Sequence, residues 1–513
     1  MNNGNLKRNT LFVSGLCVAL CLCTGVQAES PTISGLSSPS SPGFGDTVFP
    51  GRASGAASND QRKTTANDVT NATTGLFYDS IDAAIAAASP GDIIEVVSGY
   101  LQEGLVHVDK SLTLRGAAGA VKTVASSIST GDDADGRAWF LVDTGVNLDV
   151  SDLIFDGSGR SIYQAFRHKG SGSFTNCHFR NIAYPGYQGF GLVAFGGNVN
   201  ITNSTFLNIG RVGVLYFGTG ISNSTVNGST FQGKGAGDHL DYGIELGAGA
   251  SVQIEDSTLK GCLGIATGGY FSSALLLTTA YGTGTTATVT SNTFENNEHG
   301  IHLGTGSTSP DTSDLEAHFN LFLNSSPAVK HYSDSFIFVN NNWWGCNGGP
   351  LDVDNCGEAI AGDGNLDLLP WLVLSMDVSP TENVPVGGTA AVSVDLIHNS
   401  DGADTSMIDI VPDGTLIIFA SDNIAGTVSP LSAALSNGLA GATYTGDQTG
   451  GGWVTATLNS ETLMQEIGVG ISLMIFTDGF ETGDTDQWNL TIPTPPKSPI
   501  HNPADVEQIF SEW

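Results

Sequence analysis

Charged residues make up only 13% of this chain, yet Glu245 has Asp241 and Asp238 just upstream in a Gly-rich stretch, and His302 follows further along. Two carboxyl groups about 5–9.5 Å apart are what glycoside hydrolysis needs. Carboxylates close together also push one pKa up toward the range of a general acid. Arg167, His302 and Lys330 are the residue types that would neutralise a uronate or carry a proton in an elimination. Tyr184, Tyr187 and Phe190 supply rings for stacking on sugars, with Arg167 and Lys330 as donors beside them. A plainer reading stands next to each. Asp is common in Gly-rich turns, and any strand-rich surface exposes polar side chains in rows.

Oxygen ligands gather in two places. Asp132, Asp133 and Asp135 lie within Gly131–Gly136, and Asp352, Asp354, Glu358, Asp363 and Asp367 crowd the stretch after Cys346. Calcium is the ion such clusters would take. Neither has EF-hand spacing, and no cofactor is required. Of seven Cys, three fall in the first 28 residues. Cys346 and Cys356, close together in a Gly-rich loop, are expected to pair, with Cys177 and Cys262 reduced and buried.

The elements that must position these groups repeat. A large apolar anchor recurs at Phe155, Phe179, Phe206, Phe231, Leu259, Phe294, Phe322 and Trp344, at intervals of 24, 27, 25, 28, 35, 28 and 22 residues. Five residues before each anchor the chain is always apolar, from Val150 and Phe174 to Ala317 and Val339. Two residues after it, seven of eight positions are Gly or Asn, which tolerate positive φ. Between anchors lies a second strand, with Phe166, Val193, Val214, Ile244, Leu275, Ile301 and Val329 expected in one column. Its outward neighbours would be Arg167, Ala194, Leu215, Glu245, Leu276, His302 and Lys330. Such repeats bury their apolar side only by stacking, each rung about 4.8 Å above the last. The expected fold is all-β, a right-handed parallel β-helix over 76–370. Cys177 and Cys262 then fall three turns apart, about 14 Å, beyond disulfide reach.

The start of the coil reads as a cap. Ile81, Ala84, Ile85 and Ala88 form one helical face, with Asp79 as the expected N-cap and Pro90-Gly91 as the stop. The stretch Phe77–Gly116, with Pro90-Gly91-Asp92 and Leu112-Thr113-Leu114-Arg115-Gly116, resembles the N-terminal cap and first rungs of the pectin-lyase-like superfamily. Asn340-Asn341-Asn342-Trp343-Trp344-Gly345 with Gly349-Pro350 is similar to the closing rung of many secreted bacterial β-helix proteins. The resemblance covers about 76–370 and implies the coil rather than an activity, since lyases, hydrolases, tailspikes and adhesins share it. Asn-Thr-Asp followed by Asp-Asp, and Gly-His-Gly, the motifs that mark pectate lyases or polygalacturonases, are absent.

After Pro370 short alternating runs, such as Ala390–Leu396 and Trp453–Leu458, are separated by Gly, Asn, Asp and Pro. This is the pattern of a small β-sandwich over 374–475, and it is similar to bacterial Ig-like domains of the invasin and intimin type. Few contacts are expected across Leu368–Trp371, so the sandwich should be separable. The tail, 476–513, resembles a short motif near the C-termini of secreted proteobacterial proteins.

At the other end, Lys7-Arg8, the apolar run Leu11–Cys23 and Val26-Gln27-Ala28 make up a signal peptide over 1–28. A Ser/Pro/Gly-rich leader or linker follows over 29–75. Cleavage leaves 16 bases against 51 acids, a net charge of −35. That excludes nucleic acid as a partner, and no membrane insertion is expected. The expectation is a secreted, monomeric, adhesin-like protein that binds a surface glycan, extracellular polysaccharide or matrix. The alternative is a polysaccharide lyase or glycoside hydrolase on the same coil.

Overall fold

A computed structural model describes residues 67–236, 239–264, 271–278, 284–304, 312–351, 356–357, 359–361 and 365–471. The signal peptide, most of the leader, the tail motif, Asp238, Asp352, Asp354, Glu358 and Asp363 lie outside the described residues. The chain divides into two compact units, one ending at Ile221 and one beginning at Ser222.

In the first unit, a strand Val69–Asn71 pairs antiparallel with both Leu76–Tyr78 and Ile93–Val96. From there three parallel sheets grow by one strand per turn. The first runs through Leu112–Gly116, Asn147–Ser151, Ser171–Thr175 and Val199–Thr202. The second runs from Tyr100–Glu103 through Leu153–Asp156 and His178–Ile182 to Thr205–Ile209. The third holds Val106–Val108, Ala138–Val142, Gln164–His168, Phe190–Phe195 and Val212–Phe217.

The unit from Ser222 repeats the pattern. Its first sheet runs from Ser224–Asn227 to Phe336–Phe338 and Asn365–Asp367. Its third holds Tyr242–Gly247, Ser273–Leu277, His299–Leu303, Val329–His331 and Ala359–Ala361. The anchors stack within each unit as the intervals predict. Phe179 and Phe206 are parallel with centroids 4.6 Å apart, and Phe294–Phe322 and Phe322–Trp344 are each 5.1 Å apart.

Two expectations about the coil are corrected. Leu192, not Val193, aligns with Phe166 and Val214, and Val193 rather than Ala194 aligns with Arg167 and Leu215. Leu192, Val193 and Ala194 are all apolar and all buried, so alternation could not set the register. The corner two residues after the anchor is left-handed at Asn181, Asn208, Gly261, Asn296 and Asn324 but not at Gly157 or Gly233. Gly233 is small for a different reason, since a Cβ there would run into the Gly261 carbonyl.

The corner present in every one of these rungs lies three residues before the anchor. Asp152, Asn176, Asn203, Gly228, Asp256, Ser291, Phe319 and Asn341 all have φ between +48° and +58°. The residue after each corner is buried, and after the first, Leu153, these residues build a polar ladder. In the second unit Asn342 Oδ1 accepts from Asn320 N, Asn320 Oδ1 from Asn292 N, and Asn292 Oδ1 from Ser257 N, each at 2.9 Å. Cys177 holds the equivalent position in the first unit, its N–H bonded to Ser204 Oγ. Cys262 belongs to the other ladder, after the second corner, where its N–H donates to Asn297 Oδ1. Both are free and buried, and burial pushes the Cys177 thiol up to about 12. Cys346 and Cys356 form the expected disulfide.

The cap helix α1 spans Ile81–Ala87, and Ser80 rather than Asp79 caps it, its Oγ accepting from Ala83 N at 3.1 Å. Asp79 instead accepts from Asn67 N. Glu103 reaches the same helix end, its Oε2 accepting from Ile81 N at 2.6 Å. Burial pushes this carboxyl up to about 7, against the opposing pull of the Ile81, Gly104 and Asp82 amides. The folded cap therefore keeps a proton that the unfolded chain releases near its ordinary value of 4.5. Stability of the cap should fall as pH rises from about 4.5 to about 7, by roughly 3 kcal/mol at most, and level off above. Glu103→Gln should abolish that slope. Hydrogen-exchange protection of the α1 amides at pH 5 and pH 8 measures it, and equal slopes in both proteins would contradict it.

Beyond Pro370, two four-stranded antiparallel sheets face each other. One orders Leu372–Ser379, Thr389–Asn399, Leu439–Gly446 and Gly426–Ser429, the other Ser432–Ala434, Leu416–Ser421, Gly450–Leu458 and Glu461–Val469. Contrary to the expectation of few crossing contacts, their core continues into the last rungs. Phe319, Leu321 and Trp343 are buried in one cluster with Leu372, Leu374, Val394 and Phe419. Asn347 bonds to both main-chain groups of Leu374 and to Glu461 Oε2, and the Trp371 indole donates to Asn347 O. A Cβ on Gly349 would overlap the Trp371 ring. The Trp-Trp-Gly and Gly-Gly-Pro motif thus both bridges the coil, Trp343 to Leu321, and seats the sandwich.

Candidate functional site

In the first unit, Tyr184 and Gln188 exchange backbone hydrogen bonds of 2.7 and 3.1 Å, pinching the loop between strands His178–Ile182 and Phe190–Phe195. At its tip Gly186 and Tyr187 both adopt positive φ, +76° and +62°. A bulky aromatic residue is rarely found there, and the conformation costs about 1–3 kcal/mol. The result is a tyrosine ring 58% exposed on a short, bonded loop. On the same loop Tyr184 lies 5.0 Å from Tyr163, which stacks parallel to Phe190 at 5.7 Å. The Arg137 guanidinium sits 5.0 Å from the Tyr163 ring centre.

Arg167 lies 4.6 Å over the Phe195 ring, and Phe195 meets Phe217 edge-on at 6.0 Å. Asp135 bonds Arg167 Nε and Lys169 Nζ, each at 2.9 Å. The Lys169 and Arg167 bonds hold its carboxyl below the usual range. Asp132 presents its main-chain carbonyl to Arg137 Nε. Asp135 is a counter-ion for two bases, and no group of three or more His, Cys, Asp or Glu among the described residues could hold a metal.

In the second unit the register places Glu245, Leu276, His302 and Lys330 in one column. Glu245 and His302 are two rungs apart, about 10 Å along the coil, with the Leu276 side chain between. Glu245 is 5% exposed and His302 9%. Asp241 is also buried. Its Oδ2 accepts from Lys234 N at 2.7 Å and its Oδ1 lies 3.6 Å from Lys234 Nζ. His302 Nδ1 meets His299 Nδ1 at 3.1 Å. Burial, the other imidazole and the Lys330 charge push His302 down to about 3. Burial and Lys330 push His299 down to about 4. Both are neutral at physiological pH.

Leu276 thus separates Glu245 from His302 in the column, and Asp238 lies outside the described residues. Asp241 is tied to Lys234, and His302 carries no charge to donate near pH 7. What the column offers is a cation among rings, with Lys330 Nζ 4.8 Å from the Phe271 centroid and 5.2 Å from that of Tyr332.

The structure thus brings Tyr184 and Phe190 together through Tyr163, with Tyr187 at the tip of the same loop and Arg167 on the neighbouring strand of the third sheet, all in the first unit; Lys330 belongs to the second. Sequence reasoning missed Tyr163, Arg137, Phe195, Phe271 and Tyr332. Phe195 carried no usable signal, because with Ala194 read as outward period 2 turns Phe195 inward, and only the observed register, with Val193 in the outward column, turns it out.

No curated protein matches the sequence. Among solved structures, the chain is similar to the tailspike protein gp49 from Acinetobacter baumannii bacteriophage Fri1, a capsular polysaccharide depolymerase. Identity is 12% over 72% of this chain and 80% of that one, with a TM-score of 0.31. It is also similar to domains 4 and 5 of the S-layer protein SbsC, at 18% identity and a TM-score of 0.16, over 20% of this chain and 55% of that one. Residues 164–344 match the family model described as the right handed beta helix region, and with the parallel sheets on either side of Ile221 this makes the fold a right-handed parallel β-helix.

Proposed function

We propose that this protein is exported by its first 28 residues and acts outside the cell as a monomeric, adhesin-like glycan-binding protein. The observation that carries the reading is the Tyr187 loop. An exposed tyrosine held in left-handed backbone, on the loop that also carries Tyr184 of the Tyr184–Tyr163–Phe190 cluster, with Arg137 against Tyr163 and Arg167 on the neighbouring strand, offers a sugar both a face and hydrogen-bond donors. Backbone strain of this kind concentrates at ligand sites. The buried, bonded state of Asp241 and the intervening Leu276 favour binding over cleavage.

The test is a panel of extracellular polysaccharides presented to the secreted full-length protein. Tyr187→Ala should weaken binding of the recognised glycan about 10- to 30-fold, the loss typical of an aromatic anchor. Glu245→Gln should leave it within about twofold, a difference too small to count as a lost contact. Unchanged affinity in Tyr187→Ala would sink the reading. Turnover of a polysaccharide that vanishes in Glu245→Gln would replace it with cleavage.

A further inference from the structure

On the outer face of the first sheet, the second unit presents Thr225, Asn227, Gln253, Glu255, Thr288, Thr290, Asp314 and Glu316 in regular register. Phe336 and Phe338 break this polar face. They are 50% and 41% exposed, with ring centroids 5.2 Å apart, while Ile337 between them is buried in the coil. The strand carrying them is bonded on both sides. Glu316 flanks Phe338 on one neighbouring strand and Asp367 on the other. Asp314 lies on the Glu316 strand two residues earlier, toward Phe336. Among the described residues no Lys, Arg or His forms an ion pair with Asp314, Glu316 or Asp367.

Two solvated rings edged by three carboxylates without counter-ions fit a ligand that is flat, apolar on one face and positively charged at its rim. We propose that this face is a second binding surface, for a polymer of amino sugars with free ammonium groups. The rings would take the C–H faces of successive sugar residues, and Glu316 and Asp367 would take the ammonium groups beside them. A β-strand partner has no purchase here, because the backbone of the Phe336–Phe338 strand is already paired on both sides. The surface is independent of the Tyr187 loop, where the charged groups beside the rings are Arg137 and Arg167.

The experiment titrates the full-length protein with a glucosamine tetramer, its fully N-acetylated counterpart and a lysine tetramer, at low and at moderate salt. The glucosamine tetramer should bind at least tenfold more tightly than the other two. Phe338→Ala should lose at least tenfold. Glu316→Gln combined with Asp367→Asn should remove most of the salt dependence. Both sets of substitutions are at outward positions, so an unchanged thermal midpoint checks that the coil is intact. Equal binding of the N-acetylated tetramer, equal binding of the lysine tetramer, or wild-type affinity in Phe338→Ala would each overturn the proposal. None of these results bears on whether Tyr187 binds its own glycan.

Discussion

Asn320→Ala should lower the unfolding free energy of the coil by about 3–5 kcal/mol, at the high end for a single polar truncation. Asn320 is fully buried. Its Oδ1 accepts from Asn292 N and Asn292 Nδ2, and its Nδ2 donates to Val289 O, His318 O and Asn342 Oδ1. Alanine removes all of these at once, leaves the buried Asn292 N–H without its acceptor at a cost of about 1–3 kcal/mol, weakens the bonding of the other partners and opens a small cavity besides. Ser fills the same ladder position at Ser257 and Ser229, where Ser257 Oγ accepts from Ser229 N. Asn320→Ser should therefore recover at least half the loss. Chemical denaturation followed by tryptophan fluorescence checks this, since Trp344 stacks on Phe322 beside the ladder. Equal midpoints for the Ala and Ser variants would show that the ladder is not what holds these rungs.

Trp343→Ala should cost about 3–5 kcal/mol as well, and by a different route. Its indole is buried where the last rung meets the sandwich, in the cluster that includes Leu372, Leu374 and Phe419. Phe319, held at φ +57° in a corner that favours Asn, supplies another part of that seat. Emptying it should loosen the sandwich from the rung and leave the linker open to protease near Leu368–Trp371. Limited proteolysis would read this as cleavage at that junction in the variant and protection in the parent. Similar protection in both would mean that the Asn347 bonds alone secure the seat. For the same reason, a chain beginning at Leu372 should lose stability relative to one retaining the last rungs, because its apolar base would face water.

The anchors and the apolar column five residues before them were legible because each is an inward position that only a large apolar residue can fill. Repetition at 22 to 35 residues makes such a constraint visible. The corner three residues before each anchor was not. Its occupants are Asp, Asn, Gly, Ser and Phe, and what unites them is a backbone angle rather than a side-chain property. The slip between Leu192 and Val193 has a related origin, because a strand buried on both faces erases the alternation that would set its register. Asp79 and Ser80 are both good caps. Only the position of Asn67 and the first turn of the helix decided between them.

The candidate site divides in the same way. Tyr184, Tyr187 and Phe190 are neighbours in sequence, so their grouping could be read directly. Tyr163 and Arg137 join them from just before two other strands of the third sheet, which stacking places side by side, and Phe195 lies at the far end of the Phe190 strand itself. The sequence by itself determined the coil, its repeat, the disulfide and the state of the two free cysteines, because each rests on spacing or burial that a single residue type enforces. Tertiary structure alone decided that Asp135 pairs with Arg167 and Lys169, and that His302 is neutral. It also decided that the sandwich shares a core with the last rungs. Charge state, ion pairing and shared burial depend on which groups meet across tens of residues, and no local spacing encodes that meeting.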